Sequence, residues 1–338
     1  MPLLANPFAL PGEWCRGNLH AHTTNSDGGM PADKLVAHYA HASWDFIALT
    51  DHWRVTELPP PGANTNDIVV IRGIEVNTAP GSTEAGTSYH IVGLNMEGPI
   101  PRKDDLTGTA AAQWYVDAIR EQGAEAVIAH PYWSGLTLRD VEQVRRHLAI
   151  EVYNADTEVH IGRGNSQMLW DDLLTHGIPT LAIAVDDCHR PGQDSLRAWT
   201  VVKVRERSAA GIMAALRAGH FYASNGPEIY DVQVETGNGN RPYAGTVTVR
   251  CSPARAISLI TDPTRGARLN AGTFGMAVRA RRLRPTGQGP QGVADGELLT
   301  GVQFTLTGQE RFARVQVEDE RGRCAWTNPL FIRAPGEG

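Results

Sequence analysis

Along the first two thirds of the chain, short apolar runs alternate with stretches of helical spacing. The runs are Ile47-Ala48-Leu49, Val69-Val70-Ile71, Ala126-Val127-Ile128-Ala129, Ala149-Ile150-Glu151-Val152-Tyr153 and Leu181-Ala182-Ile183-Ala184-Val185. Such runs read as strands buried on both faces, the pattern of a parallel sheet. Between them the spacing predicts helices over 31–39, 110–122, 138–147 and 169–176. Pro31 suits a first turn, Leu35, Val36 and Tyr39 share a face, as do Trp114, Tyr115, Ala118 and Ile119, and Gly123 and Gly177 stand where helices stop. Strand followed by helix, repeated, gives an α/β fold whose site is built by loops at the strand carboxyl ends.

Past Gly226-Pro227 the period falls to two. Val232-x-Val234, Thr246 to Val249, Ile257 to Ile260, Val302 to Leu306 and Ala313 to Val317 alternate between Gly, Asn and Pro turns, and Gly287 to Gly296 reads as a loop. This is the pattern of an antiparallel β-sandwich, immunoglobulin-like in type. The expected domains are therefore 1–228 and 229–338.

The chemistry sits where the apolar runs end. His20-Ala21-His22, Asp27, Asp51-His52, Glu75, His90, His130 and Asp187-Cys188-His189 take up six of the chain's 12 histidines. Side chains two apart on a strand share a face, so His20 with His22, and Asp187 with His189, can each grip one ion, while Cys188 points away. A His-x-His pair alone is weak evidence; its recurrence as Asp187-x-His189, with single His and Glu residues beside further strands, describes a multinuclear metal site. Imidazole and carboxylate ligands without thiolate suit zinc, manganese or iron. Two such ions about 3.5–4 Å apart can share a hydroxide, lower its pKa toward about 7 and stabilise a leaving oxygen, which is the chemistry of hydrolysis. Glu75 is the natural bridge.

Composition narrows the alternatives. With 41% hydrophobic and 20% charged residues the chain can build a packed core, and a net charge of -6 lacks the basic field of a general nucleic-acid binder. Cys15, Cys188, Cys251 and Cys324 form no Cys-x-x-Cys pair and read as free thiols. The opening residues 1–11 are broken by prolines and carry no Lys or Arg, and no segment reaches the roughly 18 apolar residues of a spanning helix. A soluble cytoplasmic protein acting on a small-molecule ester, with no nucleic-acid polymer or membrane partner, is expected.

With these residues laid out, the chain resembles the polymerase and histidinol phosphatase (PHP) family of metallohydrolases. The resemblance lies in Asn18-Leu19-His20-Ala21-His22-Thr23 with Ser26-Asp27-Gly28, Leu49-Thr50-Asp51-His52, Gly73-Ile74-Glu75, His90 to Leu94, Ala129-His130-Pro131 and Asp187-Cys188-His189. It implies a distorted seven-stranded β/α barrel with a dinuclear or trinuclear centre. By the resemblance, His20, His22, Glu75 and Asp187 hold one ion, Glu75 bridges to a second held by His90 and His130, and Asp27, His52 and His189 hold a third. Gly219 to Pro227 and Ala325-Trp326-Thr327-Asn328-Pro329 are similar to the carbaryl hydrolase-like branch, which implies carbamate or carboxyl ester cleavage as the rival to a phosphoesterase. A non-catalytic module whose barrel presents the sandwich to a partner is the third reading.

Three further residues are candidates for catalytic roles. Asp51 can orient a metal-bound imidazole, although a loop-capping carboxylate is as good a reading. Arg163, between two glycines, can bind a substrate anion, and His160 can serve as the acid toward the leaving group; either can equally be a solvated surface residue. Glu151 and Asn154 can orient substrate, and Trp53 and Trp133 can wall the pocket.

Overall fold

The computed structural model describes residues 6–57, 68–236, 244–272, 279–283 and 297–332; the loop expected at Gly287 to Gly296 lies outside them. The chain divides into two compact units. One comprises Gly12–Leu173 and Thr180–Ala218; the other comprises Met1–Pro11, Leu174–Pro179 and Gly219–Gly338.

The first unit holds strands β1 (Glu13–Asn18), β2 (Phe46–Leu49), β3 (Val69–Asn77), β4 (His90–Leu94), β5 (Glu125–Ile128), β6 (Ala149–Asn154), β7 (Leu181–Val185) and β8 (Trp199–Val204). The helices are α1 (Ala32–His41), α2 (Gly108–Glu121), α3 (Leu138–Val141), α4 (Ala155–Ile161), α5 (Gln167–Thr175), whose last two residues are grouped with the other unit, and α6 (Ala209–Arg217). The strands lie in the order β8-β1-β2-β3-β4-β5-β6-β7. The ends of this strip approach each other: the Thr200 hydroxyl on β8 donates to the Ala184 carbonyl on β7 at 3.0 Å, and His22 N–H donates to Cys188 O at 2.9 Å. The result is the expected α/β architecture, a distorted barrel. Among the described residues, no helix is long and apolar enough to cross a membrane.

Two expectations are corrected. The strands are not all parallel: β4 runs antiparallel to β3 and β5, and β8 antiparallel to β1. No described helix separates β3 from β4 or β7 from β8, and without a crossover a neighbouring strand can only return antiparallel. The helix expected over 138–147 stops at Val141. Arg146 takes φ 69°, the Gln113 side chain bonds the N–H and carbonyl of Arg145 at 2.6 and 3.1 Å, and Leu148 is thereby brought to donate to Ala126 O at 2.8 Å. The turn seats β6 against β5.

Burial explains the apolar runs. Every residue of β2 and β5 is buried, and α1 packs Leu35, Val36 and Tyr39 into a cluster with Trp44, Ile47, Leu49 and Cys188. Beneath the end of β7, the fully buried Asp186 accepts from the Tyr39 hydroxyl (2.7 Å) and from the N–H groups of Leu196, Arg197 and Ala198 (2.7, 2.9 and 2.9 Å). Burial pushes its carboxyl up to about 7 against those hydrogen bonds, and the four donors fix the chain on which Asp187 sits.

The second unit contains two antiparallel sheets. One has the order β10 (Ile229–Thr236), β11 (Ala244–Ala254), β15 (Leu299–Thr307), β14 (Ala280–Arg282). In the other, β13 (Ala267–Asn270), β12 (Ala256–Ile260), β16 (Phe312–Glu318), β17 (Cys324–Thr327) and β9 (Phe221–Ser224) pair in succession, with β18 (Phe331–Ile332) also on β16. Val247, Val249, Phe304 and Leu306 are buried on the first, and Ile257, Leu259, Val315 and Val317 on the second.

A Cβ at Gly17 would land on the ring and carbonyl oxygen of Phe46, where β1 meets β2. Gly17→Ala is expected to destabilise the fold by about 1–3 kcal/mol through overpacking, read as a lowered denaturation midpoint.

Candidate metal centre

The ligand candidates reach one place by four local routes. His20 and His22 follow β1, on chain that continues its direction through a bridge between Ala21 and Cys188; His52 follows β2 and bridges to Glu75. Glu75 lies within β3, opposite Val92 of β4. His130 and the Asp187-Cys188-His189 segment follow β5 and β7. His90 is the first residue of β4; because that strand is reversed, its beginning meets the ends of the others. The remaining ligand, Asp27, comes from the loop between β1 and α1.

The nine residues converge. His20 Nε2 and His22 Nε2 are 3.1 Å apart, each is 3.2 Å from Glu75 Oε2, and each is 3.1 Å from Asp187 Oδ1. Glu75 turns its other oxygen, Oε1, to His90 Nδ1 (2.8 Å) and His130 Nε2 (3.3 Å). Asp27 Oδ2 stands 3.5 Å from both His52 Nε2 and His189 Nε2, and its Oδ1 stands 3.5 Å from His22 Nδ1. These are three groups capable of holding an ion; Asp156, Asp187 and His189 form a further one. Glu75 belongs to two groups and His22 to two.

The donor set fits first-row divalent ions. Atoms spaced like those around His20 and His22 leave a centre about 2 Å from each, and bonds from zinc to nitrogen or oxygen are about 2.0–2.2 Å. The Oδ1 atoms of Asp187 and Asp156 and Nδ1 of His52 are buried without a hydrogen-bond partner, which is costly for polar atoms unless something else satisfies them. All four cysteines are free and buried, and none enters the groups.

Charge follows the same arrangement. Burial opposes protonation of His20, but Asp187, Glu151 and Glu75 outweigh it and hold its pKa well above the ordinary value. His22 and His130 are raised against burial by the same kind of neighbours. Burial also opposes the His189 imidazolium, yet Asp27 and Asp187 lift it to about 10. Glu75 and Asp187 are held well below the usual carboxylate range despite burial, chiefly by His20. The carboxylates therefore gather positive charge, supplied by protons or by metal.

A buried carboxylate braces the cluster. Glu151 Oε1 accepts from His20 Nδ1 at 2.6 Å, which leaves Nε2 facing the other ligands, and Oε2 accepts from His130 N–H at 2.7 Å. Asn154 Nδ2 donates to Glu151 Oε2 (2.8 Å) and to Asp187 Oδ2 (3.0 Å). One strand, β6, thus holds ligands from the ends of β1, β5 and β7. Two of these, His130 (φ 27°) and Asp187 (φ 53°), occupy backbone conformations unusual for residues other than glycine.

The cavity over the cluster, about 240 Å³, is lined by Asp27, His52, Glu75, His90, His130 and Asp187 together with Trp133, Asp156, Thr157, His160 and His189. Trp133 is 42% exposed and stands edge-on to His130 (4.9 Å) and His90 (5.6 Å). Trp53, expected beside it, is not in the lining; its indole N–H donates to Asn77 (3.0 Å) and the Arg102 guanidinium lies over its ring at 4.3 Å.

The three catalytic candidates fare differently from the ligands. Asp51 touches no imidazole and is fully buried: it accepts from Thr23 N–H and Ser26 Oγ at 2.7 Å, from Thr23 Oγ1 at 2.8 Å, and from Thr56 Oγ1. It ties down the loop that carries His22 and Asp27. Arg163 lies over the Tyr132 ring at 5.1 Å, outside the cavity lining. His160 does line the cavity; its Nε2 accepts from Arg190 at 2.6 Å, and its Nδ1 lies 3.2 Å from Asp156 Oδ1. Sequence reasoning missed Asp156 and Arg190. Asp156 lies on α4, whose ends were marked by Asn154 as the N-cap, accepting from Thr157 N–H, and by Gly162 at φ 68°.

No family model matches the chain. A 5'-3' exoribonuclease of Haemophilus influenzae is 29% identical over 180 residues, which cover 47% of this chain and 62% of that protein, so the match spans less than two thirds of that relative. Among solved structures, a two-domain protein from Bacteroides vulgatus, described as containing a predicted PHP-like metal-dependent phosphoesterase, matches 98% of this chain and 96% of its own at 19% identity and TM-score 0.51; that likeness is one of fold. An amidohydrolase from Chromobacterium violaceum matches 53% of this chain and 89% of its own, at 17% identity and TM-score 0.38.

Three expected outcomes rest on this geometry. Protons on His20, His22, His130 and His189 compete with metal, so metal affinity is expected to fall as pH is lowered. In metal-free protein, the stability due to raised His189 is complete below the ordinary value of 6.5 and lost as pH rises through about 10; melting of metal-free protein should therefore come at lower temperature with each step from pH 7 to 10. Glu151→Ala is expected to weaken metal binding by about 10–100-fold, measured by competition with a chromophoric chelator.

Proposed function

We propose that the chain is a PHP-type hydrolase that uses two or three divalent ions, zinc, manganese or iron, to cleave phosphoesters. The observation that carries this reading is the sharing of Glu75 between two groups of imidazoles, with its two oxygens turned to different groups. His20, His22, Glu75 and Asp187 would hold one ion, Glu75, His90 and His130 a second, and Asp27, His52 and His189 a third. Bound there, such ions supply Lewis acidity and an activated water nucleophile. The chain's own part is positional: Glu151 and Asn154 fix three ligands, Asp51 fixes the loop bearing two more, and Trp133 shields one side of the cavity from solvent. The B. vulgatus fold neighbour and the H. influenzae exoribonuclease, both of which carry descriptions of phosphoester chemistry, support the choice of bond.

The second reading, cleavage of a carbamate or carboxyl ester, rests on the stretches similar to carbaryl hydrolase-like proteins. These two stretches are strand partners: Ala325, Trp326 and Thr327 pair with Ser224, Ala223 and Tyr222. Asn225 Oδ1 accepts from Cys324 N–H (2.6 Å) and Asn328 Nδ2 donates to Phe221 O (3.1 Å). This pairing gives the place of the two stretches in the fold; the bond cleaved is decided by the assay that follows.

Protein reconstituted with each metal and assayed on phosphomonoesters, phosphodiesters and carbon esters tests the proposal; hydrolysis confined to carbon esters overturns it. Glu75→Gln is expected to lower turnover by about a thousandfold or more while reducing bound metal per chain, as seen by elemental analysis.

A further inference from the structure

None of the described residues lining the cavity is a lysine or arginine. Four of them are carboxylates, whose charge the ions of the proposed site would offset, so a side-chain cation for an anionic substrate has to come from just outside. Arg163 is turned over Tyr132. Arg190 is different. It directly follows the ligand candidate His189, it is exposed, and its Nη1 donates to Nε2 of His160 at 2.6 Å. An arginine can only donate, so His160 accepts through Nε2 and carries its proton on Nδ1, facing Asp156 Oδ1 at 3.2 Å. The backbone is pinned as well: Asp194 Oδ2 accepts from the N–H groups of His189 and Arg190 at 2.9 and 2.6 Å. A cation is thus fastened, through a neutral imidazole of the lining, to the side of the cavity formed by α4.

Building on the phosphoester reading, we infer that Arg190, braced by His160 and Asp156, receives the terminal oxygens of a doubly charged phosphomonoester and makes the site selective for monoesters over diesters and uncharged esters. A guanidinium presents a planar fork of five N–H donors that matches two phosphate oxygens. One donor is spent on His160, which aims the rest. A diester lacks the second charge, and a carbamate has none.

The test uses full-length, metal-loaded protein with 4-nitrophenyl phosphate, bis(4-nitrophenyl) phosphate, 4-nitrophenyl acetate and inorganic phosphate. In Arg190→Gln, KM for the monoester and the dissociation constant of inorganic phosphate by calorimetry should each rise about tenfold or more. Metal content by elemental analysis and KM for the diester and the acetate should stay within about twofold of wild type, a margin too small for a lost charged hydrogen bond. His160→Ala should give a smaller rise of the same kind, and His160→Gln, whose amide can accept from Arg190 and donate to Asp156, should largely reverse it. Unchanged monoester KM and phosphate affinity in Arg190→Gln, or the same rise in Arg163→Gln instead, would overturn the role of Arg190 while leaving a phosphoesterase. Wild-type protein that, loaded with any of the three metals, neither cleaves a phosphoester nor binds phosphate would overturn the phosphoester reading itself, and this inference with it.

Discussion

Glu75 and Asp187 are carboxylates buried to within a few per cent, surrounded by imidazoles at hydrogen-bonding distances. Ionised groups removed from water are costly unless countercharge is supplied in place. Much of the local structure serves that requirement. Five strand ends deliver imidazoles to the two carboxylates, and one loop adds Asp27; Glu151 selects which nitrogen His20 turns inward; and Asp186, beneath, fixes the segment from which Asp187 projects. Opposed charges in a dry pocket can be matched by protons or by metal ions, which is why pH and metal loading act on the same atoms.

The division of labour between neighbouring carboxylates follows from their partners. Asp51 and Asp186 are as buried as Glu75, but their oxygens are taken up by hydroxyl and backbone donors. They have nothing left for a cation. Glu75 and Asp187 meet chiefly imidazole nitrogens, and Asp187 keeps an oxygen without a hydrogen bond. Residue type alone does not separate the two kinds of carboxylate; the donors around each one do.

What the sequence discloses follows the same distinction. Most of the candidate ligands could be read because they stand beside short apolar runs, and burial of both faces makes such runs conspicuous. The reversal of β4 was hidden, since a four- or five-residue apolar strand has no direction in its composition; it required the short return from β3. Which of its two readings Asp51 takes was hidden, because Thr23, Ser26 and Thr56, which satisfy it as a loop-capping carboxylate, are unremarkable singly and meet only in the folded loop. Helix α4 was passed over although Asn154 and Gly162 mark its ends, for want of a clear apolar face over seven residues. With it went Asp156, and with Asp156 the reason Arg190 is more than a surface charge. The paired stretches around Ala223 and Trp326 were noticed as motifs, but that they are partners in one sheet is a long-range fact that no local pattern carries.

The reversal of β4 also places the turn from Thr78 to Tyr89 at the ligand end of the barrel. Tips of this turn lean on the chain that follows His130: Thr87 Oγ1 donates to the Ser134 carbonyl, Glu84 N–H donates to Asp140 Oδ1 at 3.0 Å, and the Tyr89 hydroxyl donates to the Asp140 carbonyl at 3.1 Å. None of these atoms belongs to the ligand cluster, yet Ser134 adjoins Trp133. The Ser134 hydroxyl also lies 3.2 Å from His130 Nδ1, so lengthening or reshaping that turn acts on the aromatic rim and on one imidazole of the cluster together.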